Sequence, residues 1–187
     1  MIWISKISPL VKDVELRKPP VIVRVNKFTE ESAKRFHQDI AMAHNSGQKV
    51  IPVVIDSYGG QVYSLMSMIS AITAAELPIA TIVEGKAMSC GAVLLSFGDE
   101  GLRFADPNAT VMIHDVSGGG HGKIEELKAD VKEADRLDEK IFTMMARNCG
   151  KKDDYFKKKV FNKKHADWFM DASEAKKHGL VNHLRVP

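Results

Sequence analysis

The sequence predicts an α/β fold assembled from parallel βαβ units. Short β-branched apolar runs alternate along the chain with longer segments whose apolar residues recur every three or four positions. That alternation is what strands joined by crossover helices produce. Glycine, proline or a small polar cluster separates most of these segments, as turns require. Parallel neighbours cannot be joined by a tight hairpin, so each crossover carries a helix and is right-handed. At 187 residues the chain suits one domain with a substantial core.

The elements follow in order. Residues 1–20 are mixed in character and end at Pro19 and Pro20, so they read as an N-terminal arm; residues 21–187 then form a single domain. Residues 21–25 (VIVRV) are strand-like. In residues 29–44, Ala33, Phe36, Ile40 and Ala43 share one helical face, with Thr29 and Ser32 as N-cap candidates. Asn45 to Gly47 stop that helix, and residues 50–55 form a second buried strand in which Pro52 sits awkwardly. Asp56-Ser-Tyr-Gly-Gly60 is a turn. Residues 62–76 form a helix with Val62, Leu65, Met68, Ile69 and Ile72 on one side.

Pro78 precedes a buried strand at residues 79–83, and residues 91–96 begin a buried helix. Residues 110–114 form a short strand that closes on a histidine. From Gly122 to Gly150 the pattern becomes one long amphipathic helix. Ile124, Leu127, Val131, Ala134, Ile141 and Met145 make its stripe, interrupted at Asp138. Such a helix projects from or braces a small domain, and its stripe is covered by this chain or by another copy. A last helix covers residues 172–178, capped by Asp171 or Ser173.

Composition narrows the function classes. With 44% hydrophobic and 27% charged residues the chain has the profile of a soluble globular protein, and no apolar run approaches a membrane span. Cys90 and Cys149 offer no disulfide framework, which suits a reducing, cytoplasmic setting, and no secretory leader is recognisable. The net charge of +3 owes much to lysines between Lys151 and Lys164. That cluster reads as a solvated face, since no nucleic-acid motif accompanies it. None of the histidines has a metal-ligand spacing, so no metal is expected.

Chemistry centres on Gly85-Lys-Ala-Met-Ser-Cys-Gly91, a lone serine where a strand hands over to a helix. Amides at a helix start are unpaired, so a hydroxyl there can attack a carbonyl while those amides hold the oxyanion. The plainer reading of Ser89 is a helix cap. A serine nucleophile needs a base and a group to orient it. His114 is the best base, because ends of parallel strands collect where α/β proteins place their sites. His165 is its rival, in a basic, surface-like stretch. Asp167, just before the apolar Trp168-Phe-Met170, can orient the imidazole; its plainer role is to cap the next helix. Gly60, in the turn after a strand, and Cys90 can each supply an oxyanion amide.

Taken in order, these motifs resemble the Clp protease proteolytic subunit (ClpP) family over residues 50–187. Asp56-Ser-Tyr-Gly-Gly60 is similar to its Ser-Pro-Gly-Gly turn, and Gly85–Gly91 to its nucleophile motif. Val111-Met-Ile-His114 with Gly118-Gly119 resembles its histidine motif. Asp167-Trp-Phe-Met170 resembles its aspartate motif, and His178-Gly-Leu-Val-Asn182 its closing segment. The resemblance implies a crotonase-like (ClpP) fold of repeated ββα and βαβ units, with a long protruding handle helix at residues 123–149. It implies a self-compartmentalising, ATP-dependent-type serine endopeptidase. Ser89 would be its nucleophile, His114 its base and Asp167 the orienting carboxylate, with Gly60 and Cys90 as oxyanion donors.

It also implies a homo-oligomer of stacked heptameric rings acting on peptides and unfolded proteins. No cofactor is expected in the chain, and ATP would enter only through a partner AAA+ unfoldase. The first twenty residues depart from the family, as do Cys90 (methionine is usual), Asp115 (glutamine) and Tyr58 (proline). The divergent N-terminus puts unfoldase docking in doubt. The alternatives are a crotonase-fold enzyme acting on acyl-CoA and a catalytically silent ring subunit.

Overall fold

The structure, a computed structural model, describes residues 20–187; the expected N-terminal arm therefore lies outside the described residues except for Pro20. In chain order the elements are β1 (Val23–Val25), α1 (Glu30–His44), β2 (Ile51–Ser57), α2 (Val62–Thr73), β3 (Ile79–Met88), α3 (Cys90–Leu95) and β4 (Arg103–Ala105). They continue with β5 (Thr110–Ile113), α4 (Ile124–Asn148), α5 (Tyr155–Asn162), β6 (Trp168–Asp171), α6 (Ala172–Lys177) and β7 (His183–Leu184). The strands form one seven-stranded sheet ordered β1-β2-β3-β4-β7, with β5 also pairing β3 and β6 added to β5. Pairing is parallel throughout except between β5 and β6, which run antiparallel.

Local chemistry accounts for the early elements. Both N-cap candidates of α1 act together: the Ser32 amide donates to Thr29 Oγ1 and the Thr29 amide to Ser32 Oγ, a reciprocal capping box. Pro52 does lie within β2, but at little cost. The Ile51 amide donates to Pro78 O on the β3 side, so the following residue turns its nitrogen toward β1. There β1 covers only Val53 to Ile55, and the N–H that proline lacks has no ladder partner to lose.

β3 is longer than the run of β-branched residues announces. Thr81 to Val83 pair with β4, and Lys86 to Met88 pair with β5. The strand changes neighbours midway and stays extended to the residue before Ser89. Its polar second half is held by ladder bonds on both sides, a tertiary effect that overrides weak local preference. Opposite it, the β2–β3 register shifts between Ile55 and Ser57, and that irregularity delivers the Asp56–Gly60 turn to the same point.

The core gathers Phe28, Phe36, Leu65, Met68, Leu94, Leu95, Phe142, Met145, Phe156 and Trp168, all fully buried. Each large side chain removed from water contributes ~1.5–3 kcal/mol. α4 divides in two. Leu137, Ile141, Phe142, Met145 and Ala146 are buried, whereas Ile124 and Val131 are 71% and 63% exposed. Its C-terminal half thus belongs to the core, and its N-terminal half carries a stripe that the described residues leave uncovered. The buried Arg103 on β4 anchors the end, donating to Asn148 O at 2.7 Å where the helix dipole is negative. Among the described residues no helix is long and apolar enough to cross a membrane.

Four elements have no counterpart in the predicted set: β4, α5, β6 and β7. α5 lies in the lysine-rich stretch, where Phe156 and Val160 alone are buried. β6 alternates buried Trp168 and Met170 with exposed Phe169 and Asp171. Asp171 caps α6, its carboxylate accepting from the Glu174 amide at 2.7 Å.

Candidate active site

Ser89 stands at the N-cap of α3, but its side chain makes no capping bond. Its hydroxyl oxygen lies 2.8 Å from His114 Nε2 instead. The backbone there is strained: φ is 54° and ψ −121°, a region that costs a non-glycine residue ~1–3 kcal/mol. What holds it is a set of main-chain bonds. The Ser89 amide donates to Met112 O at 2.9 Å, and its carbonyl accepts from Ala92 and Val93. Gly59 packs directly against this serine with φ +110°, so close that an added Cβ would meet Ser89 Cβ at 2.7 Å. This is a tight strand-to-helix turn that presents a hydroxyl, and the cap reading of Ser89 Oγ does not apply.

The sheet register brings the other two residues together. In the antiparallel β5–β6 pair, Ile113 is opposite Trp168. One residue further, His114 and Asp167 face each other. His114 Nδ1 and Asp167 Oδ1 are 3.7 Å apart, an ion-pair distance but beyond a hydrogen bond. The Asp167 side chain is 52% exposed, that of His114 23%. For the Ser89 hydroxyl to donate to Nε2, the ring proton must sit on Nδ1, the nitrogen that faces Asp167.

Gly60 and Cys90 meet beside the serine. The Cys90 thiol donates to Gly60 O at 3.3 Å, and Cys90 is the first residue of α3, so its amide has no acceptor within the helix. Burial pushes the Cys90 thiol above its ordinary pKa, which keeps it protonated and a donor. Gly60, Ser89, Cys90 and His114 border a narrow cavity with an apolar floor that includes Val62, Leu65, Ile141 and Phe142, and with Asp115, Ser117 and Asp138 on its polar side. The space open to the centre of a water-sized sphere in it is about 50 Å³.

Further polar residues frame the site: the sequence marked Asp138 only as an interruption of the α4 stripe, but offered His165 as the rival base and Asp115 as a departure from the family pattern. Asp138, the interruption in the α4 stripe, borders the cavity and accepts from the Val116 amide at 3.0 Å. Its half-buried carboxyl is pushed above the usual range, chiefly by desolvation. His165 pairs with Asp115 Oδ2 at 2.6 Å. Among the other histidines, His37, His44, His178 and His183 bond to groups in other parts of the fold. Among the described residues no group of His, Cys, Asp and Glu converges to hold a metal ion.

A strand-to-helix serine bonded to a histidine, itself opposite a carboxylate, has the parts of a hydrolase that works by acyl transfer. The family model described as Clp protease matches residues 13–186, so the chain belongs to the Clp protease family. It is accordingly a peptidase of the ClpP type, and the sheet with its crossover helices has that family's crotonase-like architecture.

Proposed function

We propose that the chain is a serine endopeptidase in which Ser89 is the nucleophile, His114 the general base and Asp167 the carboxylate that orients it. The 2.8 Å contact between Ser89 Oγ and His114 Nε2, made by a serine that leaves its helix uncapped, carries this reading. His114 takes the hydroxyl proton as Ser89 Oγ adds to the peptide carbonyl carbon. The carbonyl oxygen becomes an oxyanion and takes hydrogen bonds from the amides of Gly60 and Cys90. One such donor contributes a factor of ~10²–10³ in rate. His114 then gives its proton to the departing amine, and water, deprotonated by the same imidazole, releases the acyl group from Ser89. The cavity beside Ser89, part apolar and part polar, receives a substrate side chain.

Assembly belongs to the same reading. The α4 stripe that the described residues leave uncovered and the exposed Tyr63, Phe161 and Phe169 support packing against further copies, as in a ring-shaped chamber. Peptides and unfolded chains are its substrates, and a partner unfoldase would supply any ATP-driven step.

Labelling with a fluorophosphonate tests the chemistry. The expected result is an adduct on Ser89 in the wild type and none in His114→Ala, together with loss of peptidase activity in Ser89→Ala. An assembled oligomer that takes no label would refute it. An acyl-CoA enzyme on this fold would keep its activity in Ser89→Ala.

A further inference from the structure

We propose that His165 and Asp115 form a clamp that positions Asp167 for His114, an inference that rests on the serine-peptidase reading above. The β5–β6 ladder ends at the Ile113–Trp168 pair, one residue short of His114 and Asp167. Beyond that pair, no ladder bond fixes how far Asp167 stands from the imidazole. The two sides of the gap are held differently. On the His114 side, the chain is tied down by Asp138 of α4, which accepts from the Val116 amide at 3.0 Å. On the Asp167 side, the connection from α5 is contorted, with Lys164 and His165 both left-handed at φ 57° and 59°. Such a conformation is unfavourable for side chains other than glycine and persists only when something holds it.

Main-chain bonds hold the turn to the end of α5, the Lys164 amide donating to Phe161 O at 2.9 Å and the His165 amide to Val160 O at 3.2 Å; the contact that ties the turn to the β5 side is the His165 side chain. Its Nδ1 lies 2.6 Å from Asp115 Oδ2, and the edge of its ring meets Phe161 at a centroid distance of 5.5 Å. Asp115 directly follows His114 and His165 precedes Asp167 by two residues, so the pair spans the frayed end of the ladder next to the Ser89–His114–Asp167 line. Asp167 itself has its carboxylate 52% exposed and 3.7 Å from His114 Nδ1. Its own contacts are therefore too weak to set that distance. The pair does what the next rung of the ladder would do.

Asp115 borders the cavity beside Ser89, but its Oδ2 is taken up by His165, and neither residue touches the reacting atoms; on this view the pair acts through Asp167, and the KM readout separates that from a direct contact with substrate. That makes the clamp testable by a double-mutant cycle on the full chain, read as the rate of Ser89 labelling by a fluorophosphonate and as kcat and KM for a fluorogenic peptide. Asp115→Ala opens the clamp without altering the left-handed residues. It should lower kcat and the labelling rate by about 10- to 100-fold, the scale of an ångström-level misplacement, with KM changed by less than about twofold. His165→Asn keeps a side-chain N–H near Nδ1 and tolerates the left-handed backbone, so it should stay within about threefold of the wild type. In an Asp167→Ala background, Asp115→Ala should cost nothing more, because its target is gone.

A loss from Asp115→Ala that is equally large in both backgrounds would overturn the clamp in favour of a general structural role. So would an Asp115→Ala protein labelled at the wild-type rate. If Asp167→Ala itself is fully active while Ser89→Ala is dead, the orienting role of Asp167 fails, and the clamp with it. Wild-type protein that takes no label overturns the serine-peptidase reading first.

Discussion

Gly59→Ala should cripple the serine while leaving most of the fold intact, and its size can be worked from contacts. An alanine Cβ at this position falls 2.7 Å from Ser89 Cβ, about 0.7 Å short of the 3.4 Å at which ordinary contact begins. It also meets Met88 O and Ser89 Oγ, both at 3.1 Å. Ser89 cannot easily retreat, because its amide is bonded to Met112 and its carbonyl to the first turn of α3. The turn or the serine must therefore move by several tenths of an ångström. A misplacement of that order separates Oγ from His114 Nε2 and should slow Ser89 labelling by about 10- to 100-fold. The φ of +110° adds backbone strain of ~1–3 kcal/mol, visible as a lower urea midpoint. Gly47→Ala and Gly101→Ala are the controls: φ is +80° and +79°, with nothing within 4 Å of the new methyl. They should lose ~1–2 kcal/mol of stability and label at the wild-type rate. Normal labelling of Gly59→Ala, or an equal loss in the controls, would refute the contact as the cause.

Other outcomes follow from the same geometry. Asp167→Asn should lower kcat by ~10²–10⁴-fold at neutral pH by removing the group that favours the Nδ1–H tautomer; a loss below about threefold would exclude Asp167 from the mechanism. Asp138→Asn keeps an acceptor for Val116 without the buried charge. The folded-state pKa of Asp138 is raised above 3.8, so its contribution to stability is present below the unfolded value and lost as pH rises through the folded one. Urea midpoints of Asp138→Asn and wild type should therefore coincide near pH 3 and diverge toward pH 7, with the variant the more stable. Burial pushes the Cys149 thiol up to about 11, leaving on the order of one thiolate in a thousand at pH 8. Iodoacetamide, followed by mass spectrometry, should modify Cys149 and the buried Cys90 slowly in the native protein and quickly in urea; rapid native alkylation would contradict the burial.

Much of the α/β layout was legible because single-chain patterns encode it. Phe36 and Ile40 of α1, Leu65 and Met68 of α2 and Val93 and Leu94 of α3 are core residues at the spacing that predicts helices. The capping pair Thr29 and Ser32 marks the start of α1 within a few residues. Elements whose stability comes from partners were not legible. β6 is a two-faced edge strand recognisable only against β5, and the second half of β3 is polar yet extended because β5 lies beside it. α5 hides in a run of lysines whose stems and charges face water.

The same division holds at the site. By itself the sequence determined the residue types and their order: a serine at a strand-to-helix junction, a histidine ending an apolar strand, an aspartate before an apolar anchor, and a Gly-Gly turn. These are local facts, set by which side chains can do acyl-transfer chemistry and by the backbone freedom of glycine. Only the tertiary structure decided that the Ser89 hydroxyl reaches His114 rather than capping α3, since that depends on a strained φ enforced by the Met112 bond. Only the antiparallel register of β5 and β6 sets Asp167 opposite His114, across 52 intervening residues. His165, which the sequence offered as a rival base, is placed by the same register beside Asp115, because contacts distant in the chain are chosen by packing and not by spacing.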